Sequence, residues 1–510
     1  MIATNYLSSS RKHRSQHSRP VGRACWEALE DRRLLSFSPA TTFPVGQNPQ
    51  AVVTADFNND GKLDLAATGY DYELGDGNVS VLLGNGNGSF QPALTFETGP
   101  YTFSLAAGDF NADGTIDLAA ANNGADFDDV SILLGNGDGT FAPAVALDVS
   151  NSYSWAIASG DLNADGKLDL LVTSDDGWGT EYVSVMLGNG DGSFATPITY
   201  DTYNGPFYAP TLADFNRDGK IDVAVGANQT NTVRIFLGNG DGTLQEFGDF
   251  PAGGLDTYGP DSIAVGDFNT DGKLDLVTTN SDGIVSMLPG NGDGTFATAW
   301  DFVMGGAGSA NASDVNADGK LDLVITNRTS PGAVTVRLGD GKGNFTASFT
   351  AATGGYPSSL VMGDFNNDGR PDAAAAILGP NNVAVLLNDG NWPVEPIPPR
   401  VSISDVSKAE GKNKTSTSFT FTVSLSAAYD QPVTVSYRTV NGTATASSDY
   451  TSKTGTITFA PGQTSITITI QVQGDNKRES NETFYLDLFG LSSNALFTKS
   501  RGIGTILNDD

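Results

Sequence analysis

Seven times the sequence writes one nine-residue frame, Asp-x-Asn-x-Asp-Gly-x-x-Asp, starting at Asp56, Asp109, Asp161, Asp214, Asp267, Asp314 and Asp364. In the first copy Asp56, Asn58 and Asp60 put side-chain oxygens at positions 1, 3 and 5, so that they can converge from a single turn of loop. Gly61 lets the chain bend back, Lys62 offers a backbone carbonyl, and Asp64 at position 9 is expected to close the shell. An all-oxygen set of flexible geometry suits a hard cation, Ca2+ more than Mg2+, which prefers a strict octahedron and holds its waters. The other six copies repeat the set as Asp109, Asn111, Asp113 and Asp117; Asp161, Asn163, Asp165 and Asp169; Asp214, Asn216, Asp218 and Asp222; Asp267, Asn269, Asp271 and Asp275; Asp314, Asn316, Asp318 and Asp322; and Asp364, Asn366, Asp368 and Asp372.

The frame begins like an EF-hand loop but lacks its Glu at position 12, where Ala67, Ala120 or Val172 stands. Short apolar runs flank it, Ala51 to Ala55 before and Leu63 to Thr68 after, which places it in a β-hairpin. A metal-free turn is the alternative, since Asn, Asp and Gly make turns unaided. Seven intact copies favour the metal. About 20 residues after each frame comes Gly-Asn-Gly-x-Gly-x-Phe or a variant, as at Gly84 to Phe90, Gly135 to Phe141, Gly188 to Phe194, Gly238 to Leu244 and Gly290 to Phe296. These glycines supply tight hairpin turns, and the absence of a following helix argues against a phosphate loop.

The frames start 53, 52, 53, 53, 47 and 50 residues apart, the period of a four-stranded propeller blade. Frame, turn and period together resemble the FG-GAP and VCBS repeats of integrin α-type β-propellers. The resemblance runs from about Phe37 to Asn391 and implies that the first, third, fifth and ninth residues of all seven loops are calcium ligands. The last repeat stops early at Asn388-Asp389-Gly390-Asn391, without its Phe-x-Pro-Ala strand. Phe37-Ser38-Pro39-Ala40-Thr41-Thr42-Phe43 matches Phe90 to Phe96, so the N-terminal strand is predicted to complete the last blade and close a ring of seven.

Residues 392–400 are Pro-rich and read as a stiff linker. Beyond it Ser418 to Leu425, Val433 to Thr439, Gly455 to Phe459, Ser465 to Val472 and Thr483 to Phe489 read as strands of an antiparallel sandwich over 401–510. Glu410-Gly411, Gly442 to Thr445, Asp449-Tyr450, Gly474-Asp475, Glu482-Thr483-Phe484 and Asn508-Asp509-Asp510 resemble the motifs of a Calx-beta domain. The resemblance implies that Glu410, Asp449, Asp475, Glu479, Glu482, Asp509 and Asp510 gather at one end to hold calcium, although Gly474 and Asn508 stand where the richest sites carry acids. The fold class expected is therefore all-β, a seven-bladed β-propeller followed by an immunoglobulin-like β-sandwich.

Across 510 residues, 59 acids against 28 bases leave a net charge of −31, and 21 of the acids are loop Asp residues. Nucleic acid and anionic lipid are poor partners for such a chain. The only cysteine is Cys25, so calcium would supply the crosslinks that disulfides give other extracellular proteins. A secreted or cell-surface location follows, because loops with affinities of about 10⁻⁴ to 10⁻³ M would stand empty in cytosol. Residues 1–36 form a basic leader with Arg11, Lys12, Arg14, Arg19 and Arg23 and no apolar signal core; Leu29 to Leu35 is similar to the LEPR-XLL motif of bacterial surface and secreted proteins. No stretch is apolar enough to span a membrane.

The only histidines, His13 and His17, lie in that leader, so neither domain offers imidazole or thiol for catalysis, and no catalytic residue is assigned. A non-enzymatic binder is expected, acting in adhesion or matrix contact on an extracellular protein or polysaccharide. The alternative is a secreted polysaccharide lyase or glycosidase on a calcium-stabilised propeller. The connections on the face opposite the loops vary and carry aromatics, of which Tyr72, Trp155, Trp178, Tyr203 and Tyr208 are the candidate ligand contacts, beside Tyr70, Tyr101, Tyr153, Tyr182, Phe207, Tyr258 and Tyr356.

Overall fold

The computed structural model describes residues 36–509 except 125–128, 150–152, 179, 203–206, 228, 254–258, 281, 393–398, 413, 430 and 493–494. The leader with its LEPR-XLL-like motif, Tyr203, Tyr258 and Asp510 thus lie outside the described residues. The chain divides into two compact units, 1–392 and 393–510.

Among its described residues the first unit holds seven four-stranded antiparallel sheets. Six are meanders of consecutive strands. Blade 1, for example, runs Val52–Ala55, Asp64–Tyr70, Gly77–Leu82 and Leu94–Glu97. In each blade the second strand is buried along its length, save for a half-buried last residue in blades 3, 6 and 7, as in Asp117–Asn122 and Asp372–Leu378, because neighbouring sheets cover both of its faces. The first strands stand side by side around the ring, and that of blade 1 lies against Tyr356–Gly363 of blade 7. Each junction between blades has its own apolar core. Blades 1 and 2 share Phe57, Val79, Leu105 and Phe141, while blades 7 and 1 share Phe365, Val383, Leu65 and Phe90.

Blade 7 is built from both ends of the propeller sequence. Its strands Tyr356–Gly363, Asp372–Leu378 and Asn382–Leu386 are completed by Thr41–Pro44, with Thr41 opposite Val385 and Phe43 opposite Val383. Phe37 bridges Asn388 just as Phe90 bridges Gly84 in blade 1, so the match between the two Phe-x-Pro-Ala segments reports a shared position. Trp392, which composition assigns to the linker, is instead buried in this unit. Its ring meets Phe37 edge-on at 5.6 Å and Phe349 at 5.5 Å, and its Nε1 donates to Asn388 Oδ1 at 2.9 Å.

Removing residues 1–36 is expected to leave the propeller folded and monomeric. Removing residues 1–48 strips blade 7 of its fourth strand and Trp392 of its partner, leaving Asn382–Leu386 as an open edge that aggregates. Equal behaviour of the two truncations in size-exclusion chromatography would contradict this account.

The second unit is a sandwich of a four-stranded and a five-stranded sheet around one core that includes Phe419, Phe421, Tyr450, Phe459 and Phe484. It contains all five predicted strands and four more, Arg400–Ile403, Val406–Ala409, Leu496–Phe497 and Arg501–Leu507. The expectation of a wholly antiparallel sandwich is corrected. Arg400–Ile403 pairs parallel with Leu496–Phe497, and Val406–Ala409 pairs parallel with Arg501–Leu507, because in each sheet a short edge strand is laid against a strand from the other end of the domain's sequence.

Candidate metal loops and the opposite face

All seven frames adopt one backbone shape. The fourth position has positive φ in every copy (Asn59, Ala112, Ala164, Arg217, Thr270, Ala317, Asn367), between 55° and 62°, followed two residues later by a positive-φ glycine. Side chains of the loop itself hold that shape. In blade 1, Asp56 accepts Asp60 N at 3.1 Å and Gly61 N at 2.8 Å, Asn58 accepts Asp60 N at 3.0 Å, and Asp60 accepts Lys62 N at 3.0 Å. The same four bonds recur in blade 7 on Asp364, Asn366 and Asp368.

The ninth-position Asp has a role that its place in the frame does not disclose. It is the first residue of the second strand and fully buried in every blade: Asp64, Asp117, Asp169, Asp222, Asp275, Asp322 and Asp372. One oxygen accepts the N–H of loop position 2 and the other accepts the N–H that opens the following hairpin turn. In blade 1 the donors are Phe57 at 2.9 Å and Gly84 at 2.6 Å; in blade 6 they are Val315 at 3.0 Å and Gly339 at 2.9 Å. The turn then reaches the preceding blade, where Gly88 N donates to Phe365 O, Gly139 N to Phe57 O and Gly343 N to Phe268 O, at 2.9, 3.1 and 3.0 Å. In blade 7, which lacks the glycine turn, the Asn388 side chain makes the equivalent bond to Val315 O at 2.8 Å. The loops and turns thus form a belt around one face.

Among the described residues no three His, Cys, Asp or Glu side chains form a ready metal-holding group. The donor chemistry nevertheless fits calcium. Each loop brings three carboxylates and an amide oxygen, and an ionised Asp64 that accepts one N–H per oxygen keeps a further lone pair on each. Burial pushes the Asp64 carboxyl from its ordinary 3.8 up to about 6, against the pull of its backbone donors, and the charges of Asp56 and Asp60 add to the rise. Burial likewise takes Asp275 and Asp372 to about 6 and Asp322 to about 7, and raises Asp117, Asp169 and Asp222. A divalent ion would relieve both causes. In blade 1 the local cation is Lys62, whose Nζ lies 2.9 Å from Asp60 Oδ2 on the exposed side; its hydrogen bond lowers the Asp60 pKa and leaves the buried carboxylate uncompensated.

At one end of the sandwich, Glu482 lies beside Asp449 and Glu479; burial first, and then those two charges, push its carboxyl up. Lys477 pairs with Glu479, and its backbone N donates to Asp475 Oδ1 at 2.7 Å. Asn508 Nδ2 donates to Glu410 Oε1 at 3.4 Å, and Asp509 Oδ1 accepts Gly411 N at 3.2 Å. An amide and an ammonium therefore occupy part of the acidic end that the resemblance describes.

On the face opposite the loops, the structure assembles aromatics of three blades. Tyr70 touches Tyr72 at 5.7 Å and Tyr101 at 5.7 Å, and stacks on Phe103 at 5.3 Å; Phe103 meets Trp155 at 5.5 Å. Trp155 Nε1 donates to Asp175 Oδ2. Trp178 is 94% exposed and Tyr72 73%, whereas Tyr70 is buried. Tyr208 lies on the inner strand Phe207–Ala213 of blade 4. Phe103 escaped the sequence reading because its neighbours are ordinary strand residues. The signal would have been its place one residue past Thr102, at a β-bulge whose counterpart in blade 3 holds Trp155.

The fold and its loops define a β-propeller of repeated Asp-loop blades joined to a sandwich. The chain belongs to the FG-GAP-like repeat family, whose model matches residues 72–120, 109–172, 161–225, 214–278 and 314–375, and it carries a Calx-beta domain at 402–509. Among solved structures, the BP39L lectin from Burkholderia pseudomallei is 14% identical, covers 69% of this chain and 99% of its own, and superposes with a TM-score of 0.50, a likeness of fold alone. The apo-form CBD1 domain of Calx is 24% identical over 22% of this chain and 98% of that one, with a TM-score of 0.19. The calcium binding domain CBD12 of CALX1.1 is 26% identical over 22% of this chain, with a TM-score of 0.20, and is matched over only 45% of its own length. No curated protein matches. Among the described residues no helix is long and apolar enough to cross a membrane.

Proposed function

We propose that this chain is an extracellular or cell-surface calcium-binding protein that binds a protein or polysaccharide ligand, in adhesion or matrix contact, through the propeller face opposite its calcium loops. The single observation that carries this reading is the contrast between the two faces. One repeats the same loop and the same hydrogen bonds blade after blade, as a scaffold does. The other varies and exposes aromatic side chains, which recognition requires. The Calx-beta domain at 402–509 supports the calcium-binding part of this reading. The protein acts without catalysis in this reading.

Trp178→Ala is expected to weaken retention on extracellular-matrix proteins or an arrayed glycan by about tenfold, with calcium affinity and melting temperature nearly unchanged. Asp214→Ala should do the reverse, lowering stability by roughly 1–3 kcal/mol through its loop and touching ligand binding only as a consequence. Turnover of any polymer by the intact chain, or ligand affinity that tracks occupancy of one calcium loop in a fully folded protein, would overturn the division of labour.

A further inference from the structure

Charge divides between the two faces of the propeller as sharply as shape does. Residues 37–392 contain eleven Lys and Arg. Lys62, Lys167, Lys220, Lys273, Lys320 and Arg370 stand at loop position 7; Arg217 is in a loop, Lys342 in a turn, and Arg234 and Arg337 lie within third strands. Only Arg328 falls on the opposite face, and its guanidinium is already engaged, 3.3 Å from Asp261 Oδ2 and 3.5 Å from Ser358 O. Between Lys62 and Arg217 the chain has no basic residue except Lys167. Blades 1–3 therefore present the ring cluster Tyr72, Phe103 and Trp155 near Asp71, Glu73 and Asp175, and the sequence between Lys62 and Arg217 brings no Lys or Arg to this end of those blades.

Calcium would sharpen the asymmetry. Ions in the loops would neutralise the loop face, whereas on the opposite face Arg328 pairs with Asp261 of blade 5 and reaches none of Asp71, Glu73 and Asp175 of blades 1 and 3. Electron-rich ring faces and carboxylates have one ligand chemistry in common, which is positive charge: cation–π attraction for the first and ion pairing for the second. Asp71 accepts Glu73 N at 2.8 Å and Leu74 N at 3.2 Å, and Asp175 accepts Gly177 N at 2.7 Å, so turn geometry fixes these acids beside the rings. The bulges at Phe103 and Trp155 re-aim two side chains of the inner strands, which is how two of the blades come to supply rings to one patch.

We propose that the aromatic and acidic patch of blades 1–3 is a docking site for a Lys/Arg-rich polypeptide segment of a partner protein. The proposal rests on the reading that this face is the binding face, and it narrows the ligand to one class.

The test titrates the full chain, in calcium, with a fluorescent Arg/Gly/Ser peptide, its Glu-for-Arg counterpart and a neutral glucan oligosaccharide. The Arg peptide is expected to bind, with affinity falling at least about tenfold between roughly 50 and 300 mM NaCl, and the Glu peptide to stay free. Trp155→Ala and Tyr72→Ala should each weaken the Arg peptide by about tenfold, with Tyr72, being exposed, leaving the melting temperature unchanged. Glucan binding that needs Trp155 and Tyr72, without peptide binding, would overturn the ligand class and leave the binding face standing. Peptide binding insensitive to both substitutions but lost on changing a calcium loop would overturn the site and the face together. Failure of all three probes to bind would also overturn the proposal.

Discussion

Stripping calcium with a chelator is expected to lower the melting temperature of the propeller by more than roughly 10 °C, since seven occupied loops would each add linkage free energy of about 2–3 kcal/mol at hundredfold excess over their dissociation constants. The pH dependence then changes sign with the metal. In the ion-free protein the buried loop carboxyls titrate at about 6 to 7 in Asp64, Asp275, Asp372 and Asp322, against an ordinary 3.8. A carboxyl raised on folding stabilises the fold while protonated. Its contribution is complete below about pH 4 and is lost as pH climbs through the folded value. In chelator, stability should therefore fall between pH 4 and 7. In saturating calcium it should rise over the same window, because the ion binds the ionised form. Calorimetric scans across that range with and without calcium measure both slopes, and parallel slopes would refute the assignment of these carboxylates to the metal.

A second large effect separates the two kinds of loop acid. Asp322→Ala removes an acceptor from two buried backbone N–H groups, Val315 and Gly339, and each orphaned donor costs about 1–3 kcal/mol, so a loss of about 2–6 kcal/mol is expected whether or not calcium is present. Asp318→Ala, four residues away and exposed, leaves the strand and turn bonded. It should cost little in chelator and show its effect only when calcium is added. Urea unfolding of both variants in both conditions gives the four values. Equal calcium dependence of the two would mean that position 9 is a ligand and nothing more.

The ring order, the closing strand at Thr41–Pro44 and the sandwich core were legible in the sequence, because a repeated frame fixes a period and an alternating pattern fixes a face. The latch formed by the ninth Asp was not, since a residue that caps two backbone donors and one that binds a metal carry the same letter. Nor was the Arg328–Asp261 pair, whose members are 67 residues apart and meet only because blades 5 and 6 are adjacent. The aromatic patch was half legible. Tyr72 and Trp155 stand out by type, while Phe103 joins them through a bulge that composition does not encode. The strands Arg400–Ile403 and Arg501–Leu507 were missed because short runs at the ends of a domain lack a flanking turn to frame them.

The composite seventh blade sets a schedule for folding. Ser38 and Leu387, which share a hydrogen bond, are 349 residues apart, so the propeller strand that is synthesised before all the other blades is the last to find its place. Until residue 387 appears, six blades can assemble as an open arc whose two ends both offer sticky edges. A neighbour's first strand can fill the gap as well as the chain's own, and two arcs could exchange strands into a linked pair. Slow emergence with one chain at a time favours the closed monomer; crowded refolding from denaturant favours the exchange.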